Sequence, residues 1–133
     1  MNGTPATIVL VEDEPSVLSI MTRVLARSGY EVMAFESPLK ALAFLRNASS
    51  PSLLLTDVVM PEGVSGRDLA EKLHVEKPGL KIIFTSGYPK DVIGKDFVLR
   101  EGVNFLQKPY YPQKLAETIR DCLDSGNLIQ GDL

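Results

Sequence analysis

With 133 residues, 44% apolar and 23% charged, the chain has the size for one domain and a continuous core without staples. Its formal net charge of -3 gives no electrostatic reason to expect nucleic acid or an anionic membrane as partner. The single Cys122 excludes an internal disulfide framework, no apolar run nears the roughly 20 residues of a membrane span, and Met1–Pro5 carries no signal-peptide pattern, so a cytoplasmic protein is expected.

In chain order, a first apolar run, Ile8-Val9-Leu10-Val11, is short and continuous, as suits a strand buried on both faces. Val17, Leu18, Ile20, Met21, Val24 and Leu25 then follow helical spacing until Ser28-Gly29 supplies a stop. A second strand is expected over Val32-Met33-Ala34-Phe35, and a helix over Pro38 to Asn47 with Ser37 as its cap. Leu53-Leu54-Leu55 forms a third strand, and Leu69, Ala70, Leu73 and Val75 a helix ended by Pro78-Gly79. Ile82-Ile83-Phe84 is the fourth strand. Pro89 to Gly102 holds Gly94 and scattered apolar residues, which predicts only a short or frayed helix. The fifth strand spans Val103 to Leu106, broken by Asn104, and Leu115, Ala116, Ile119, Cys122 and Leu123 make the last helix after Pro112. Residues 1–6 read as a flexible lead, 7–124 as the domain and 125–133 as a loose tail. Alternating strands and helices point to an open α/β sandwich with right-handed crossovers.

Such sheets gather their chemistry where strands end at the carboxyl edge. After the first run come Glu12, Asp13 and Glu14; after the third, Asp57; after the fourth, Thr85 and Ser86; after the fifth, Gln107, Lys108 and Pro109. If the first and third strands are neighbours, Asp13 and Asp57 stand close, with Glu12 beside them. Two like charges about 4 Å apart repel by roughly 4 kcal/mol at an effective dielectric near 20, so clustered carboxylates trap a proton or bind a cation. Hard oxygen ligands suit Mg²⁺. A carboxylate there can act as a nucleophile towards a phosphoryl group, with Lys108 neutralising the phosphoryl oxygens and the Thr85 hydroxyl donating to one of them.

Each assignment has a structural rival. Asp57 could cap a turn, the Glu12-Asp13-Glu14 run could favour a helix N-terminus, Lys108 could be a solvated surface lysine, and Phe105 could be plain core. Ser86 reads as a turn residue, Glu14 as a helix-start acid, His74 as solvent-exposed and Cys122 as core.

The motifs "VLVEDEP", Asp57-Val-Val-Met-Pro through Gly66, "IIFTSGY" and "FLQKPY" together resemble the receiver domain of two-component response regulators, from about Thr7 to Leu123. The resemblance implies a flavodoxin-like (βα)5 fold, an open parallel sheet in the order 2-1-3-4-5 with helices on both faces. It implies Asp57 as phosphoacceptor, and Mg²⁺ held in the acidic pocket of Glu12 and Asp13 with Asp57 and the Val59 carbonyl. Thr85 would be the switch hydroxyl, Phe105 the switch aromatic, and Lys108 the lysine before a proline that is usually cis. The implied partner is a histidine kinase or histidine phosphotransfer domain. Two features depart from the family pattern: Gly66 comes one residue later than is common, and Phe105 carries no hydroxyl.

The wording of these motifs is most like receivers of hybrid sensor histidine kinases, with a free-standing single-domain regulator as the alternative. No helix-turn-helix or basic stretch is visible, so no nucleic-acid or membrane contact is expected, and the hybrid-kinase reading with its weak helix after Pro89 implies a monomer. Among other classes, a Mg²⁺-dependent phosphohydrolase forming an aspartyl phosphate would need a D-x-D pattern after the first strand, which Glu12-Asp13-Glu14-Pro15 lacks. A flavodoxin-type cofactor binder would need a Ser/Thr/Gly-rich phosphate loop there. A receiver used only as a docking surface would not need the acid pocket and Lys108.

Overall fold

The computed structural model describes residues 6–47, 51–58, 66–87, 99–100 and 102–124. Five strands, β1 (Thr7–Val11), β2 (Glu31–Phe35), β3 (Leu53–Asp57), β4 (Lys81–Ser86) and β5 (Phe105–Gln107), form one parallel sheet in the order β2-β1-β3-β4-β5. The described helices are α1 (Pro15–Arg27), α2 (Pro38–Asn47), α3 (Gly66–Glu76) and α4 (Pro112–Asp124). Most of the Pro89–Gly102 stretch, the expected tail and residues 1–5 lie outside the described residues.

Alternation along each strand sorts side chains to the two faces of the sheet. Val9, Val11, Leu54, Ile82, Phe84 and Phe105 pack with Leu42, Leu45, Leu69 and Leu73 under α2 and α3. Ile8, Leu10, Leu53, Leu55 and Ile83 pack with Met21, Leu25, Leu115 and Ile119 under α1 and α4. The continuous leucine run of β3 follows from this two-sided burial at the centre of the sheet. β2 differs from expectation. It is an edge strand, half-exposed along much of its length, because only β1 pairs with it.

Local chemistry sets the helix ends. Pro15 opens α1, where its missing N–H costs nothing. α1 closes in a Schellman arrangement: Tyr30 N–H donates to Leu25 O and Gly29 N–H to Ala26 O, with Gly29 at φ +96°. Ser37 caps α2 by accepting from Lys40 N–H at 3.4 Å. The last helix buries Leu115, Thr118, Ile119 and Cys122 on one stripe, and the Lys81 ammonium donates to the Leu123 carbonyl at its end. The fifth strand is displaced from expectation: Val103 and Asn104 form a turn, with Asn104 Oδ1 accepting from Arg100 N–H, and pairing begins at Phe105. No helix among the described residues is long and apolar enough to cross a membrane.

Candidate functional site

The carboxyl edge of the sheet holds its polar residues by extending the backbone ladder one rung past each strand. Glu12 N–H donates to Phe35 O, Val58 N–H to Thr85 O, and Lys108 N–H to Ser86 O at 2.7 Å. Register does the rest. Val11 pairs with Thr56, so Glu12 falls beside Asp57, and Asp57 itself pairs with Thr85. Ser86 pairs with Gln107, which leaves Lys108 next along the edge.

These rungs deliver an ion triad. The Lys108 ammonium donates to Glu12 Oε1 at 2.8 Å and to Asp57 Oδ2 at 3.0 Å. The Glu12 side chain is 1% exposed, that of Asp57 9% and that of Lys108 25%. Burial pushes the Glu12 carboxyl above the usual carboxylate range, and the bond from Lys108 only partly offsets it. Burial also works against the charge on Lys108. Its hydrogen bonds to Glu12 and Asp57 win, and hold the ammonium above the ordinary lysine range. The other Glu12 oxygen accepts from the Glu14 N–H, which orients the carboxylate. Asp57 is therefore a buried acid whose charge Lys108 balances.

Asp13 completes the cluster. Ligand oxygens of Glu12, Asp13 and Asp57 all lie within 4.8 Å of one another. Three hard oxygen donors at that spacing fit a divalent cation such as Mg²⁺, which takes few carboxylates and keeps several waters. Thr85 is buried on β4 as the register neighbour of Asp57. Phe105 is fully buried in the cluster under α2 and α3. Val59 lies outside the described residues, as does the loop with the extra residue before Gly66. The peptide bond between Lys108 and Pro109 is cis, as the resemblance implied.

Two further participants were visible in the sequence only as motif positions, with no role attached. Gly66 packs on the backbone of Asp57: a Cβ there would overlap the Asp57 carbonyl, and the Thr56 hydroxyl would lie at 2.9 Å. Tyr110 reaches back to α1, its hydroxyl donating to Met21 Sδ at 3.5 Å. Burial, then the charges of Glu12 and Asp57, push its phenol well above the ordinary range. Its only sequence signal was its place in "FLQKPY".

Residues 8–120 match the family model of the response regulator receiver domain. The chain is a member of that family. It is 34% identical to the sensor kinase CckA of Brucella abortus (strain 2308) over 90% of this chain, and spans 13% of that protein. It is 33% identical to the response regulator receiver protein CpdR of the same organism, over 87% of this chain and 95% of that one. The crystal structure of the receiver domain from the hybrid histidine kinase CckA superposes with a TM-score of 0.73 at 34% identity, covering 89% of this chain and 99% of that domain. Receivers accept phosphoryl groups from histidine kinases or phosphotransfer proteins and bind Mg²⁺ through acidic residues. The acidic cluster of this receiver lies where its first and third strands end.

Proposed function

We propose that this receiver takes a phosphoryl group from a phosphohistidine onto Asp57. The observation that carries the reading is the buried Asp57 carboxylate, 3.0 Å from the Lys108 ammonium and within 4.8 Å of two further acids. A carboxylate oxygen of Asp57 attacks phosphorus, a P–O bond forms, and the P–N bond to the donor histidine breaks with its electron pair leaving to the imidazole. Lys108 stays protonated and transfers its hydrogen bonding to a phosphoryl oxygen, and the Thr85 hydroxyl donates to another. Asp13, Asp57 and the Val59 carbonyl would hold Mg²⁺, with Glu12 acting through a water. The metal, when bound, screens the negative charge of the transferring group.

Thr85 then moves towards the phosphoryl oxygen and Phe105 repacks, shifting the population between two states. Lacking a hydroxyl, Phe105 contributes to the switch through packing alone. The chain acts in the cytoplasm as a monomer, without nucleic-acid or membrane contact of its own. Incubation with acetyl phosphate and Mg²⁺ should add one acid-stable, base-labile phosphoryl group, located by mass spectrometry at Asp57 and lost in Asp57→Asn. Stoichiometric labelling of another residue in that variant would falsify the assignment.

The favoured context is the receiver of a hybrid sensor histidine kinase, supported by the likeness to CckA. A free-standing regulator is the second reading, favoured by the match along 95% of CpdR. The reading frame around the coding sequence decides between them.

A further inference from the structure

Lys108 can serve the acid pair only if the turn that carries it is held in place. Its backbone is tied to β4 by the N–H bond to Ser86 O. A second tie lies two residues on. Tyr110 spans from that turn to α1, with its hydroxyl on the sulfur of Met21, a residue 4% exposed on the inner side of the helix. Lys108, Pro109, Tyr110, Val17, Met21 and Leu115 are among the residues lining one apolar groove of about 260 Å³ between α1 and α4. Lys108 and Tyr110 thus border the same cavity, while the Lys108 ammonium reaches the acid pocket. α1 begins three residues after Glu12, so the tie joins the lysine's turn to the segment that carries its carboxylate partner.

We infer that Tyr110 is a positioning residue, which clamps the Lys108 turn against α1 and so sets the ammonium on both Glu12 and Asp57. A tyrosine suits the task. Its ring fills apolar space and makes a favourable contact with a thioether, while the hydroxyl adds a directional bond. Without the clamp the Lys108 stem has groove space on one side, and the ammonium no longer spans both carboxylates. The clamp itself needs neither metal nor phosphoryl group; its consequence for cation binding rests on the Mg²⁺ reading above.

Proton–nitrogen NMR of lysine ammonium groups at low temperature reads the clamp directly. In the parent, Lys108 should give a resolved signal, because its protons are held on buried carboxylates. Tyr110→Ala should broaden or abolish it, and Tyr110→Phe, which keeps the ring in the groove but removes the bond to Met21 Sδ, should broaden it less. The amide spectrum controls for folding; if Tyr110→Ala does not fold, Tyr110→Leu, which fills the groove without a ring, takes its place. An unchanged ammonium signal in the folded Ala or Leu variant overturns the inference. Mg²⁺ titration followed by amide shifts supplies a second reading. A loosened ammonium opposes the divalent ion less, so Tyr110→Ala should tighten binding by roughly two- to fivefold. In a Lys108→Ala background the same change should have no effect, and an equal effect in both backgrounds also counts against the clamp. If the parent binds no Mg²⁺ while the ammonium signals behave as expected, the metal reading fails and the clamp stands.

Discussion

Among the described residues, two carboxylate–cation contacts share a length of 2.8 Å and differ sharply in burial. Arg46 and Glu76 join α2 to α3 on the surface, with side chains 48% and 36% exposed and two parallel bonds from the guanidinium. Lys108 and Glu12 meet at the carboxyl edge of the sheet, where the carboxylate is almost wholly buried. The hydrogen bond from Arg46 holds Glu76 below the ordinary glutamate range. Burial holds Glu12 above it, despite a cation at the same distance. Water solvates either partner of the surface pair if the other is lost, so that pair contributes little. The buried triad has no such reserve. A charge excess of two acids to one lysine is maintained there at a cost to folding, and that excess makes the site receptive to a further cation.

The largest expected effect breaks the buried side of this comparison. Lys108→Ala leaves Glu12 and Asp57 facing each other unbalanced, and should destabilise the fold by about 1–3 kcal/mol in urea unfolding. It should also slow labelling by acetyl phosphate. A variant as stable as the parent would mean that the triad carries no more weight than a surface pair. Gly66→Ala comes next. The new methyl must displace the Asp57 carbonyl or the start of α3, and a loss of about 1–2 kcal/mol is expected by thermal or urea denaturation. Full stability there would show that the backbone under Asp57 yields easily. Adding Glu12→Gln to Lys108→Ala removes one of the two stranded charges, and should recover about 1 kcal/mol. A further loss would mean that Glu12 is held chiefly by its bond from the Glu14 N–H.

The smallest effect belongs to the surface. Glu76→Gln should lower stability only slightly, and the difference should vanish near 1 M salt, where the screening length is about 3 Å. Its pH dependence has a definite sign. Because the folded-state carboxyl titrates below its ordinary 4.5, the pair's contribution is whole above that pH and fades as pH falls through the lower folded value. A denaturation difference between Glu76→Gln and the parent that grows on acidification would contradict this.

The apolar runs that announced strands in the sequence are strands, and the helical spacings are helices with the expected caps at Ser37 and Gly29. Misreadings fell where the signal was tertiary. Val32 to Phe35 has the composition of a buried strand but lies at the edge, and no local pattern encodes which strand has a single neighbour. Val103 and Asn104 look like the start of a strand, yet the Asn104 side chain turns back onto the Arg100 backbone and delays pairing to Phe105. At the site, Glu12, Asp13, Asp57, Thr85 and Lys108 were legible because each stands just after an apolar run, and a parallel sheet brings such positions to one edge. The bond from Lys108 to Glu12 was not legible, nor was the reach of Tyr110 to Met21.

By itself, then, the sequence determined the succession of elements, the faces they bury and the set of groups at the strand ends, because periodicity and capping act over a few residues. Only the tertiary structure decided which groups touch. Residues 12, 57 and 108 are far apart in the chain, and their distances depend on strand order and register, which arise when the whole sheet closes over its two cores. The same acid is a screened surface group at Glu76 and a charge held against its preference at Glu12. That difference is made by burial, a property no single segment possesses before the chain folds.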